Sequence, residues 1–156
     1  MIPLLHLVTA VVIAQAAPMP SAAPTPLPAA WRQVALENAD QYAHYDRREQ
    51  DGTDSILSAT RRVCDCQPDT EAEMLVSTFG SIRGAHVANT STLACGEPAV
   101  RFVATGLASR GNTLRNVEVL LFRDGPALYM VMYSFRYSRP MLDAESAMLS
   151  LCPQGD

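Results

Sequence analysis

The chain has 156 residues, of which 48% are hydrophobic and 18% are charged, and its formal net charge is −4 at pH 7. All twelve basic residues are arginine. The acidic balance argues against nucleic acid as a partner, because binding to a phosphate backbone requires a basic patch.

The N-terminal segment has the pattern of an export signal. An apolar run from Leu4 to Ala14 leads into the small-residue sequence Ala14-Gln15-Ala16-Ala17, which is typical of a cleavable signal. We therefore predict a signal peptide at residues 1–17 and a secreted or periplasmic protein. The alternative is an uncleaved anchor, through which alone the protein would contact a membrane. The short apolar run disfavours it, because a spanning helix needs about 20 residues.

Residues 18–30 are rich in proline and alanine and predict an extended tether. Residues 31–156 have a suitable length for a single globular α+β domain. The use of arginine without any lysine, together with abundant alanine, is typical of a GC-rich genome and favours a bacterial source.

The four cysteines predict two disulfides in an exported protein: Cys64, Cys66, Cys95 and Cys152. Because a disulfide requires a specific Cα separation, Cys64 and Cys66 are expected to be too close in sequence to pair with each other. Two pairings remain, Cys64–Cys95 with Cys66–Cys152 or Cys64–Cys152 with Cys66–Cys95. A zinc site of four thiolates is the alternative, but C-x-C matches structural zinc spacing less well than C-x₂-C.

The first half of the domain predicts strands followed by one helix. Residues 31–45 are ambiguous, since they fit a helical stripe, whereas residues 41–48 also fit an edge strand. A strand is expected from Ser55 to Val63. Thr70-Glu71-Ala72-Glu73 has the spacing of a capping box. An apolar stripe at helical spacing follows it and ends at Gly80 or Gly84: Ala72, Leu75, Val76, Phe79 and Ile82.

The second half predicts two hairpins and a closing helix. Strands are expected at residues 85–94, 99–105, 114–123 and 127–137. If Asp124-Gly125 is a two-residue turn, Arg123 faces Pro126, and Leu121 and Val119 lie opposite Leu128 and Met130. Both faces of this hairpin are apolar, which favours a central place in a covered sheet. The last helix begins near Pro140 and ends before Pro153, with this apolar stripe: Ala144, Ala147, Met148 and Leu151.

Together these elements predict an antiparallel β-sheet flanked by helices, in the α+β class. The span from Leu93 to Cys152 resembles the PsbP-like α/β/α sandwich group. The matching features are a Gly-x-x-Ala turn, the hairpin at Asp124-Gly125 and a tyrosine-rich return strand, with these residues: Gly96, Ala99, Tyr129, Tyr133 and Tyr137. The resemblance implies a non-catalytic protein that binds a protein partner or a small ligand, and it supplies no catalytic residue and no cofactor.

Candidate chemical groups are few. His44 and His86 are the only histidines of the mature domain. With a nearby cysteine they could form a Cys–His nucleophile, and with Asp46 a metal site. No recognised signature surrounds them, so surface histidines and structural disulfides are the simpler interpretation. We therefore assign no catalytic residue, no cofactor and no metal ligand.

A binding surface is predicted at the end of the last strand. Tyr129, Tyr133, Phe135 and Tyr137 share one face, since alternate residues of a strand point the same way. Tyr129 and Tyr133 are expected to pack under a helix. Tyrosine and arginine often anchor interfaces, so the predicted binding residues are Phe135, Arg136, Tyr137 and Arg139.

The sequence thus favours an exported, non-enzymatic binding or accessory protein of the bacterial envelope, with an unknown protein or small molecule as its partner. The first alternative is an inhibitor or immunity-type protein that inserts an exposed loop, such as residues 106–112, into another protein. The second is a small enzyme that depends on a thiol or a metal.

Overall fold

A computed structural model describes residues 27–108 and 114–153. The predicted signal peptide and most of the tether lie outside these residues. The described part contains seven strands and two helices: β1 (Arg32–Gln33), β2 (Gln41–Arg48), β3 (Asp54–Val63), α1 (Pro68–Gly80), β4 (His86–Ala94), β5 (Glu97–Thr105), β6 (Asn116–Asp124), β7 (Ala127–Phe135) and α2 (Leu142–Leu149). Neither helix is long and apolar enough to cross a membrane.

The strands form one sheet in the order β1-β2-β3-β7-β6-β5-β4, and every neighbouring pair is antiparallel. The prediction of an antiparallel sheet with flanking helices in the α+β class is confirmed at this level. β2 resolves the ambiguity at residues 31–48 in favour of a strand. It is not an edge strand, because the two-residue β1 pairs with it, and the long open edge of the sheet is β4.

The helices lie on opposite faces of the sheet. One face, the α2 face, packs against Ala144, Ala147 and Met148 of α2 and includes Tyr129, Val131, Tyr133 and Phe135 of β7. The other, the α1 face, packs against α1 and includes Val100, Phe102, Val119 and Leu121. Because side chains alternate along a strand, the apolar residues on both sides of β6 and β7 require a cover on both faces.

The hairpin of β6 and β7 has the predicted faces but a different register. Asp124 pairs with Ala127, and Val119 pairs with Met132 instead of Met130. The turn residues are Gly125 and Pro126, and Gly125 has φ +55°, as the first position of a type II′ turn requires. The predicted register was wrong because it placed Pro126, which has no N–H to donate, inside the strand ladder.

α1 begins at Pro68, two residues before the predicted capping box. Gln67 is the N-cap residue and forms no hydrogen bond from its side chain to the helix, so the capping box at Thr70 does not form. Proline suits the first position of a helix because its φ is already helical and it has no N–H to satisfy. α1 ends at Gly80, one of the two predicted ends.

The disulfides are Cys64–Cys66 and Cys95–Cys152. Both predicted pairings are wrong, although the presence of two disulfides is confirmed. Alternate residues of an extended strand are about 6.6 Å apart, but the chain bends at Cys64 and Asp65. The Cα separation of Cys64 and Cys66 is therefore only 5.2 Å, which is within the range for a disulfide.

Candidate functional site

The predicted binding residues at the end of β7 do not form one surface. Phe135 is completely buried and stacks on Tyr133 with ring centroids 4.7 Å apart. Its assignment to a binding surface is wrong, because residue 135 still pairs with Asn116 in the sheet and faces the core under α2. Arg136 is half-buried and Arg139 is exposed.

Two tyrosines of the same strand pack under a helix, as expected. Tyr133 is fully buried and Tyr129 is nearly so. Tyr129 also stacks on Phe122, with ring centroids 5.2 Å apart. Both rings therefore contribute to the core of the α2 face.

Tyr137 lines a cleft of about 540 Å³, which we call the Tyr137 cleft. Its other lining residues are Ala30, Arg47, Glu49, Gln50, Asp51, Met141 and Asp143. Arg47 is nearly buried, donates from Nε to Glu49 at 2.9 Å and from Nη1 to Asp143 at 2.6 Å, and lies 4.5 Å from the ring centroid of Trp31. These contacts engage Arg47, Glu49 and Asp143 with one another, which indicates a structural role for this ion-pair network.

A second cavity, of about 260 Å³, lies on the α1 face beside the start of α1. We call it the α1 groove, and its lining residues are Asn38, Asp40, Thr60, Arg62, Glu71, Leu121, Leu128 and Met130. It exists because α1 packs over β4, β5 and β6 and leaves the adjoining part of β7 and β3 uncovered.

The floor of the α1 groove is mainly apolar. Leu121 and Leu128 are buried within the sheet, and Met130 is half-buried between them and Thr60. Strand pairing fixes these side chains next to one another, since Met130 lies opposite Leu121 on one side and Thr60 on the other. The floor is therefore a preformed part of the sheet.

The rim of the α1 groove carries charges of both signs. Arg62 donates from Nη2 to Oε1 of Glu71 at 2.8 Å, which links β3 to the first turn of α1. Elsewhere in the lining, Asn38 Oδ1 accepts from the backbone N–H groups of Asp40 and Gln41, each at 3.1 Å. Side-chain bonds of this kind hold a turn in place, so the loop that carries Asp40 is fixed next to the groove.

The candidate chemical groups of the sequence are dispersed. His44 is nearly buried, and its Nδ1 lies 2.9 Å from the carbonyl oxygen of Ala35, whereas His86 is exposed at the start of β4. Within residues 27–108 and 114–153, no three His, Cys, Asp or Glu side chains are grouped so as to hold a metal ion. All four cysteines are bonded in pairs, so this oxidised state has no thiolate for a zinc site or a Cys–His nucleophile.

Only the beginning of the loop at residues 106–112 is described, from Gly106 to Ala108. Gly106 has φ +75°, and a Cβ there would lie 2.2 Å from the carbonyl oxygen of Gly84. The backbone approaches Gly84 so closely that no side chain fits at this position. The inhibitor interpretation depends on the rest of the loop and stays a prediction.

The α1 groove was not predicted from the sequence. Its floor comes from three strands, and its rim comes from a loop, the end of β3 and a helix. The available signal was the polar face of β3, where Ser58, Thr60 and Arg62 occupy alternate positions, which indicates a strand face that is not fully covered.

No family model matches the sequence, and no curated protein matches it. Among solved structures, the chain is similar to LpqN of Mycobacterium tuberculosis, described as involved in cell envelope biogenesis. The TM-score is 0.50 and the sequence identity 13%, over 82% of this chain and 78% of LpqN. At this identity the similarity indicates a shared fold.

Proposed function

We propose that this protein is an exported, non-enzymatic binding or accessory protein of the bacterial envelope, and that the α1 groove holds its ligand. The observation that carries the proposal is the groove itself, with an apolar floor of Leu121, Leu128 and Met130 next to a charged rim at Arg62 and Glu71. Ligand sites in proteins commonly combine an apolar lining with a few fixed polar groups.

The location outside the cytoplasm is supported by the two disulfides, because such bonds form and persist in oxidising compartments. The bacterial envelope is favoured by the fold shared with LpqN and by the predicted signal peptide. We also propose membership of the PsbP-like group, with whose α/β/α sandwich the two helices on opposite faces of one antiparallel sheet are compatible.

The dimensions of the groove restrict the ligand. Small-molecule pockets typically measure about 300–1,000 Å³, whereas the α1 groove measures about 260 Å³. We therefore expect a small molecule, or one end of a larger one, with an apolar body that covers Met130 and a polar group that meets the ion pair of Arg62 and Glu71.

The test compares two identical substitutions in the mature, oxidised protein. Thr60→Phe fills the α1 groove, and Thr92→Phe places the same side chain on exposed β4, outside the groove. Binding of the probe 1-anilinonaphthalene-8-sulfonate is measured by fluorescence titration. We expect Thr60→Phe to weaken binding about tenfold or more, which corresponds to about 1.4 kcal/mol, and Thr92→Phe to leave it unchanged.

Equal binding of the probe by both variants would show that the groove is not the site and would refute the proposal. Circular dichroism of both variants confirms that the fold is retained. Native mass spectrometry of the wild-type protein after incubation with a bacterial envelope extract then determines the mass of the physiological ligand.

A further inference from the structure

We propose that the Cys64–Cys66 disulfide is a redox-active site that oxidises a pair of thiols in a substrate protein by thiol–disulfide exchange. The exchange consumes the disulfide stoichiometrically, so it adds to ligand binding in the α1 groove without requiring catalytic turnover. It rests on four observations, which concern the size of the ring that the disulfide closes, the contacts that hold its surroundings, its exposure and its charged neighbours.

This disulfide contributes little to the fold. A disulfide stabilises a protein chiefly by closing a long loop in the unfolded chain, and here only Asp65 separates the two cysteines. Cys95 and Cys152, in contrast, are 57 residues apart. A structural role accounts for the second disulfide but not for the first.

Other contacts hold the connection between β3 and α1. The N–H of Cys64 donates to the carbonyl oxygen of Pro126 at 3.3 Å, and Arg123 Nη1 donates to the carbonyl oxygen of Cys66 at 2.8 Å. Both contacts use backbone atoms of the cysteines and do not depend on the bond between the sulfur atoms. Reduction therefore leaves the fold and the positions of Cys64 and Cys66 in place.

The disulfide is accessible. Cys64 and Cys66 are half-exposed, and the side chain of Asp65 between them is fully exposed. A thiol of another molecule can therefore reach this bond without local unfolding.

The charges around the disulfide favour a thiolate at Cys66. Arg62 Nη2 lies 3.4 Å from Cys66 Sγ, and Cys66 comes two residues before α1, whose N-terminus has no side-chain cap. A guanidinium and the positive end of a helix both stabilise a thiolate. Two nearby carboxylates oppose this effect through their negative charge. Glu71 binds Arg62 at 2.8 Å, and Asp65, which lies between the two cysteines, is 3.6 Å from Arg123. Neither carboxylate replaces the contact between Arg62 and the sulfur atom.

The chemistry follows from this asymmetry. A substrate thiolate attacks Cys64 Sγ, the bond to Cys66 breaks, and its electron pair leaves on Cys66 Sγ, which is the better leaving group. The second substrate thiolate attacks the substrate sulfur of the mixed disulfide and releases Cys64 as a thiolate. The two protein thiolates take up the protons that the substrate thiols lost, so two electrons move from the substrate dithiol to the protein.

The experiment uses the oxidised mature protein and a synthetic peptide with two cysteine thiols. Peptide oxidation is followed by mass spectrometry under anaerobic conditions. We expect one equivalent of protein to oxidise up to one equivalent of peptide, and Cys64 and Cys66 to become open to alkylation while Cys95–Cys152 stays bonded. The double variant Cys64→Ser with Cys66→Ser is expected to oxidise no peptide.

A second measurement isolates the role of Arg62. The rate of alkylation of reduced Cys66 by iodoacetamide is measured against pH in wild type, in Arg62→Gln and in Arg48→Gln, an exposed arginine remote from the disulfide. We expect Arg62→Gln to shift the alkylation profile to higher pH and Arg48→Gln to leave it unchanged. The proposal is overturned if wild type oxidises the peptide no faster than the double serine variant, or if Cys95–Cys152 is reduced before Cys64–Cys66.

Discussion

Cys95 and Cys152 are bonded to each other across 57 residues, and their bond fastens the turn between β4 and β5 to the chain that follows α2. In the chain-entropy model a loop of this length is worth about 4 kcal/mol of stability. We expect the double variant Cys95→Ser with Cys152→Ser to lose about 2–4 kcal/mol in urea unfolding. The double serine variant at Cys64 and Cys66 is the control. If it loses as much stability as the first variant, the inference that Cys95–Cys152 stabilises the fold and Cys64–Cys66 contributes little is contradicted.

The ion pair of Arg47 and Glu49 gives the second prediction. Both side chains are more than 90% buried, so Arg47→Ala leaves a buried carboxylate without its cation. Such a loss costs about 3–5 kcal/mol. The neighbouring Arg48 pairs with Asp54 on the surface, and Arg48→Ala is expected to cost less than about 1 kcal/mol. Urea unfolding followed by circular dichroism measures both, and similar losses would show that Arg47 is not a buried anchor.

Periodicity predicted the elements that depend on local pattern. The stripe of α1 and the apolar faces of β6 and β7 follow directly from helical and alternating spacing. The register of the hairpin depends in addition on Pro126, which lies in the turn because it has no N–H for the strand ladder. The start of α1 likewise depends on a proline, because Pro68 suits the first turn of a helix.

Features formed by distant segments could not be predicted from the pattern. The α1 groove depends on the separation between Asp40 on a loop and Glu71 on a helix, which only tertiary packing sets. The Cys64–Cys66 bond depends on one bend that shortens a Cα separation. Phe135 continues the alternation of Tyr129 and Tyr133, but the alternation does not say where β7 ends, and Tyr137 lies just beyond that end.

The buried carboxyl group of Glu118 gives a prediction about pH. Its Oε1 accepts from Arg101 at 2.6 Å, and its Oε2 has no hydrogen-bond partner in the described part of the chain. Burial raises the pKa of Glu118 above its ordinary value of 4.5, Arg101 opposes this rise, and Glu145 adds to it. The folded protein therefore keeps this proton to a higher pH than the unfolded chain does.

Because the folded state binds the proton more tightly, this group favours folding most at a pH below 4.5. That contribution is lost as the pH rises through the raised pKa in the folded state. We expect Glu118→Gln to remove this decline, so that the unfolding free energy of wild type falls relative to that of the variant as the pH rises from 4. Glu97→Gln, on the exposed start of β5, is the control. Parallel profiles for wild type and Glu118→Gln would contradict the assignment.

At the end of β7, a core residue and a surface residue are only four positions apart in the sequence. Phe135 is fully buried, and Phe135→Ala is expected to cost about 3–5 kcal/mol because it leaves a cavity under α2. Arg139 is exposed, and Arg139→Ala is expected to change stability by less than about 0.5 kcal/mol. Thermal unfolding of both variants tests this difference. If Phe135→Ala unfolds cooperatively and with wild-type stability, Phe135 does not stabilise the core. That result would favour the binding surface predicted from the sequence.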